Sequence, residues 1–400
     1  MSDMINNGEA LMKKKIDSSG GKKHTAKRVI LFYGVCLGIG ALLGVLSARG
    51  SIEMDIGSQE PYIWVILLVA CYVSYLVQII IHEAGHLICG LMSGYQFVSF
   101  RIGSFTLIRE AGKFKMKKYM IQGTAGQCLL MPPEKKVEEV PYRLYHLGGI
   151  LANTLVTLPL IVIYGSIQLP KAVSVILIIG ISIGIICIMA NGIPMKISGI
   201  ANDGYNLMSL RRDKIARTSI YQSLRINGLQ NEGMRLKEMP KEWFTLPKEA
   251  DLNNPLNECI KIFEGNRYMD ALDFNGARQV YEEILEKSDA ILPLYKIEVQ
   301  SELALIEILG ENRKEKVEVL LTKEVKKYMR AIKKMIDKKT LEYAYALYVK
   351  KDEEEAQKVW ENTMQLMHTY PSKGVIKSIL ELLEYIKQMQ FITIEEKKNQ

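Results

Sequence analysis

Ile79-Ile80-Ile81-His82-Glu83-Ala84-Gly85-His86-Leu87-Ile88 lies inside an apolar run from Tyr62 to Met92. That run is longer than the roughly 20 helical residues needed to cross a hydrocarbon core of about 30 Å, so it predicts a membrane-spanning helix. The helix would carry three ionisable side chains, which are costly in hydrocarbon unless they have partners and a task. His82 and His86, four residues apart, share a helix face where their imidazoles can bind one ion, with Glu83 near enough to hold a water. A divalent ion lowers the pKa of such a water toward about 7, and Glu83 would take its proton and pass it to a leaving amine. The plainer reading is a polar cluster at a helix end. It is weakened by the histidine count, since the chain has five and two of them fall in this run.

Working outward, three more apolar stretches reach or approach spanning length: Val29 to Ala48, Leu147 to Tyr164 and Ala172 to Ala190. The chain therefore reads as mainly α: a polytopic bundle of about four transmembrane helices. Seven Lys/Arg precede the first stretch and eight lie between Ser93 and Pro141, against one each in 49–61 and 164–171. The positive-inside bias then predicts a multi-pass protein of the cell membrane with both termini cytoplasmic. It also accounts for the formal charge of +8 without nucleic acid. Residues 1–28 read as a basic cytoplasmic leader rather than a cleavable signal peptide. The six cysteines show no CxxC spacing, so neither a disulfide framework nor a cysteine zinc site is indicated.

Between Ser93 and Pro141, alternation in Phe97-Val98-Ser99-Phe100-Arg101, Phe105-Thr106-Leu107-Ile108-Arg109 and Phe114-Lys115-Met116-Lys117 predicts a small antiparallel sheet. Beyond 205 the apolar spans stop. The expected organisation is a membrane domain over 29–205 with its strand-rich connection at 93–141, a Pro-punctuated linker over 206–250, and a cytoplasmic all-α domain over 251–400. Within that last region, Phe274 to Glu282 and Glu353 to Glu361 look alike, each with an alanine four residues before a large aromatic. That pattern suits either a degenerate tetratricopeptide array or an irregular helical bundle.

Two histidines leave zinc short of a donor, since catalytic sites usually have three protein ligands and an open position. Asp203-Gly204 lies just beyond the last span, after Asn191-Gly192-Ile193-Pro194, an interruption that could fold irregular backbone toward a polar cavity or could simply end the helix. Asn153, following Gly148-Gly149 in the third span, is an amide inside a membrane helix. It would bond a neighbouring helix or face a polar cavity, where it could hold substrate backbone or an oxyanion.

In order and topology, these three motifs resemble those of the site-2 protease family of intramembrane zinc metalloproteases. The resemblance covers about residues 62 to 210. It implies one Zn2+ per chain held by His82, His86 and Asp203, with Glu83 activating water and Asn153 beside the substrate. The substrate would be membrane-associated or a small peptide precursor in the lipid bilayer. One departure is that eight residues separate Pro194 from Asp203 where the family has about four, which leaves His146 and Glu110 as alternative third donors. A second departure is that no PDZ module is recognisable, and the C-terminal helical region would bind a protein partner in its place. Two other readings remain open at this level. One is a non-catalytic membrane scaffold recruiting a cytoplasmic partner through those helices. The other is a protease of the prenyl-protein-processing kind, which would want a downstream glutamate ligand.

Overall fold

The computed structural model describes residues 34, 61–110, 112–119, 124–197, 200–287, 291–333 and 335–398. The expected leader and, apart from residue 34, the expected first span at 29–48 lie outside them. The described residues are mainly helical, with a four-stranded and a two-stranded antiparallel sheet. They fall into two compact units: residues up to Cys89 with Pro141–Ser209, and Gly90–Val140 with Leu210–Gln400.

The first unit is built on three helices, α1 (Pro61–Met92), α2 (Tyr142–Ser166) and α3 (Lys171–Gly192). All three are long and apolar enough to cross a membrane. The third expected stretch, short at Leu147 to Tyr164, gains length because the helix starts directly after Pro141 and takes in Tyr142–His146. Apolar side chains point outward on these helices: Leu68 is 70 % exposed and Leu155 is 72 % exposed. Outward-facing residues of this kind suit lipid better than water. Inside the unit, α1 and α2 touch through glycine. A Cβ on Gly85 would fall 2.2 Å from the Gly148 carbonyl oxygen, and one on Gly148 would fall 2.4 Å from that of Gly85. This is the close backbone approach that small residues permit between membrane helices.

After α3, the chain makes a two-stranded hairpin, β5 (Lys196–Ile197) with β6 (Ile200–Ala201), and enters α4 (Asp203–Arg212). Its four earlier strands belong to the second unit: β1 (Gln96–Ile102), β2 (Phe105–Glu110), β3 (Lys113–Lys118) and β4 (Gly126–Met131) form an antiparallel sheet in the order β3-β2-β1-β4. Three of them are the strands read from alternation. The fourth, Gly126-Gln127-Cys128-Leu129-Leu130-Met131, has a nearly continuous apolar end, because Leu130 and Met131 are both buried, so periodicity gives no signal there.

Two of the expected domain boundaries are corrected. The strand-rich segment 93–141 packs with the C-terminal helices, not as an appendage of the spans: Lys117 Nζ donates to the Tyr370 carbonyl (2.7 Å), Glu110 pairs with Lys373 (2.8 Å), and the rings of Tyr119 and Tyr370 meet at 5.1 Å. Residues 206–250 are likewise more than a linker. They include α5 (Lys214–Glu232), whose N-cap Asp213 accepts from the amides of Ile215 and Ala216, and the buried Ile226, Leu236, Met239 and Phe244, which share a core with Ile260. The prolines that suggested a linker instead punctuate two short 3-10 turns.

The remaining helices are α6 (Pro255–Asp270), α7 (Phe274–Lys287), α8 (Pro293–Leu309), α9 (Lys314–Leu320), α10 (Lys323–Ala331), α11 (Lys339–Ala344), α12 (Glu353–Thr369) and α13 (Lys373–Lys398). Ala277 and Ala356, the small residues of the two look-alike windows, are both buried in this core.

Candidate metal centre

The centre lies wholly within the first unit. His82 and His86 stand one turn apart on α1 and are both buried. Their Nε2 atoms are 3.1 Å from each other, and Asp203 Oδ2 lies 3.0 Å from the first and 3.2 Å from the second. One donor atom from each residue therefore converges on a single point.

The other ring nitrogens decide what these contacts mean. His86 Nδ1 is 2.8 Å from the Tyr145 carbonyl oxygen, which only accepts, so this nitrogen carries the proton. His82 Nδ1 is 2.8 Å from Asn153 Oδ1. The Asn153 amide is itself fixed, because its Nδ2 donates to the Gln78 carbonyl (2.9 Å) and to Gln78 Oε1 (2.6 Å). In neutral rings, then, both Nε2 atoms present lone pairs, to each other and to a carboxylate oxygen. Three electron-rich atoms at 3.0–3.2 Å repel unless something positive lies between them. Tetrahedral zinc with bonds of about 2.0–2.1 Å places neighbouring donors about 3.3 Å apart, so the spacing and the donor types both fit a small divalent ion. Orientation of a ligand histidine through its far nitrogen is the usual device for presenting such a lone pair.

The backbone around the site is shaped to this end. A Cβ on Gly149 would lie 2.4–2.6 Å from atoms of the His82 ring, so only glycine leaves that ring its place. The long spacing before Asp203 is absorbed by the β5–β6 hairpin, in which Lys196 pairs with Ala201. Asn202 closes this loop: its Nδ2 donates to the carbonyls of Ala190 and Ile193 (both 2.6 Å), and its Oδ1 accepts from the amides of Met195 (3.1 Å) and Tyr205 (2.9 Å). A single side chain thus ties the end of α3 to the start of α4 and sets Asp203 at the first helical position.

Among known proteins, the chain matches no family model, no curated protein and no solved structure.

The alternative donors named for the third position do not join the group. His146 is buried beside Tyr145, with ring centroids 4.9 Å apart, but contributes no atom to the convergent set. Glu110 belongs to the sheet, where Lys373 and Lys115 hold its carboxyl down at about 2. Asn153 is fully buried, and its amide is committed to His82 and Gln78, which gives it a positioning role in place of the expected contact with substrate or oxyanion. Glu83 is half-buried next to His82 on α1. Gln78 and Asn202 were missed by the sequence reading. Gln78 precedes His82 by four residues on the same helix face, and Asn202 stands directly before an Asp-Gly helix start, a favoured N-cap position.

Proposed function

We propose that the chain is a zinc-dependent intramembrane endopeptidase of the site-2 protease kind, with His82, His86 and Asp203 as metal ligands and Glu83 as general base. The observation that carries this reading is the pair of imidazole lone pairs, fixed by Asn153 and the Tyr145 carbonyl, that meet a carboxylate on helices apolar enough for a membrane. When bound, zinc supplies the Lewis acidity that polarises a peptide carbonyl and lets water lose a proton near neutral pH. Glu83 accepts that proton and returns it to the amine nitrogen as the C–N bond breaks. Asn153, held by Gln78, keeps His82 in the tautomer and orientation that ligation needs. The surrounding apolar helices keep bulk water scarce, which strengthens each of these electrostatic interactions. Substrates on this reading are membrane segments or peptide precursors that unwind locally, because helical hydrogen bonds otherwise shield the scissile carbonyl.

Two measurements on the purified full chain in proteoliposomes test the reading. Metal analysis is expected to give one zinc per chain, lost in His82→Ala and in Asp203→Ala. Cleavage of a candidate membrane segment is expected to fall by about 10²–10⁴-fold in Glu83→Gln with zinc retained. Undiminished cleavage in that variant would reject the assignment of the base, and a zinc-free wild type would reject the enzyme.

A further inference from the structure

The second unit contains a cavity of about 370 Å3, open on one side, between the four-stranded sheet and the helices α5, α6, α8, α11 and α13. Its size lies within the roughly 300–1,000 Å3 typical of ligand pockets. Two features of its wall point to an occupant.

The first is a pair of buried polar side chains with nothing to bond. Gln230 on α5 is 8 % exposed and Thr340 on α11 is 2 % exposed. Both line the cavity, and neither side chain makes a hydrogen bond within the protein among the described residues. Polar groups in buried walls are almost always paired, and here the surface these two leave open is the cavity itself. Their free valences face the same space.

The second is charge. Lys338 projects between Glu298 (2.6 Å) and Glu302, and the neighbouring Asp337 accepts from the Tyr370 hydroxyl (3.0 Å). Three carboxylates therefore share one ammonium in a largely buried wall. Burial, and then the Glu298 charge, push the Asp337 carboxyl up, as a shortage of cation would. Of the other lining charges, Asp270 is held by Arg235 at 2.6 Å, and Arg101 donates through its two terminal nitrogens to the Gly103 carbonyl and to Thr124, while its buried Nε has no hydrogen-bond partner among the described residues. The carboxamides of Asn227, Asn231 and Asn266 stand along the helical side of the wall. Asn227 and Asn231 each donate to a carbonyl of their own helix and Asn266 accepts from the Tyr281 hydroxyl, so what these amides have left is the remaining capacity of each group.

We propose that this cavity is a docking site for a short basic polypeptide segment. A lysine or arginine of the segment is received by the Glu298, Glu302 and Asp337 carboxylates, and its backbone is held by Gln230 and Thr340. This site is separate from the metal centre and does not depend on its chemistry.

The test uses the full chain in detergent micelles and a fluorescein-labelled pentapeptide alternating alanine and lysine, read by fluorescence anisotropy. Saturable binding is expected for this probe and not for its glutamate counterpart. Glu302→Gln should weaken it about tenfold. Gln230→Leu and Thr340→Val should each weaken it by up to about tenfold, the worth of one hydrogen bond. Because these last two replace unpartnered polar groups with apolar ones of similar size, their melting temperatures should be unchanged or higher, which separates lost binding from lost folding. The proposal is overturned if the glutamate peptide binds equally well, if spermidine binds while the peptide does not, or if the Gln230→Leu/Thr340→Val double variant keeps wild-type affinity. A fall in melting temperature in both apolar variants would overturn it too, by showing that these groups already have partners in the protein.

Discussion

In the proposed metal site, Gln78 and Asn153 would act through the ligand side chains and not by touching the ion. Asn153 Oδ1 takes the proton side of His82, and Gln78 fixes which way the Asn153 amide faces. Losing such an outer partner usually costs 10–100-fold in metal affinity. Asn153→Ala should therefore lower zinc affinity by about that factor in a competition titration against a fluorescent chelator, with Gln78→Leu following in the same direction. A merely structural role would lower the melting temperature and leave the affinity of the folded fraction intact, which is the outcome that would remove Asn153 from the site. The two histidines were legible in the sequence because ionisable groups stand out in an apolar run. Gln78 was not, because a single uncharged amide on a membrane helix has many partners open to it, and only the fold shows which one it takes.

The hairpin between α3 and α4 shows the same dependence in a larger piece. Eight residues between Pro194 and Asp203 looked too many for a ligand position, because a count along the chain treats the insertion as distance. Folded back as β5 and β6, it adds almost none, and Asn202 fastens the two ends with four hydrogen bonds. Asn202→Ala should lose the cap of α4, worth about 1 kcal/mol. It should also release Asp203, so zinc affinity falls towards that of Asp203→Ala while the His82–His86 pair is untouched. Affinity at the wild-type level would show that the hairpin holds itself closed. In the second unit the end of α8 offers a test by pH. The Arg313 guanidinium, bonded to Glu307, holds that buried carboxyl down at about 2. A depressed carboxyl contributes its stability in full above the ordinary carboxylate range and loses it as pH falls through that range to about 2. Glu307→Gln should therefore lower the melting temperature near neutrality by a few degrees and flatten its decline in acid. An unaltered acid limb would show that the pair contributes nothing.

At the scale of the molecule, the three apolar helices and the second unit place demands on one another through connectivity alone. Gly90–Val140 and Leu210–Gln400 fold into a single unit, with a sheet and helices sharing its interior, so both segments must lie on the same side of any membrane that the helices cross. If α1, α2 and α3 each cross a bilayer, the chain reaches that side at Met92, leaves it at Tyr142 and returns after Gly192, which satisfies the demand. The Lys/Arg count supports the same arrangement independently, since eight of these residues fall between Ser93 and Pro141 and one falls in 164–171. Three crossings among the described residues, in addition to the span expected at 29–48, and a cytoplasmic second unit are therefore the expected topology. Cysteine labelling in intact cells, in a background with the native cysteines replaced, reads it directly. Gln168→Cys, exposed in the α2–α3 connection, should react with an impermeant maleimide from outside. Lys135→Cys, exposed after β4, should react only once the membrane is opened. Labelling of both from the same side would mean that α2 and α3 do not cross as a pair. The metal centre would then sit at a surface, and the chemistry proposed for it would have to act on peptides in water.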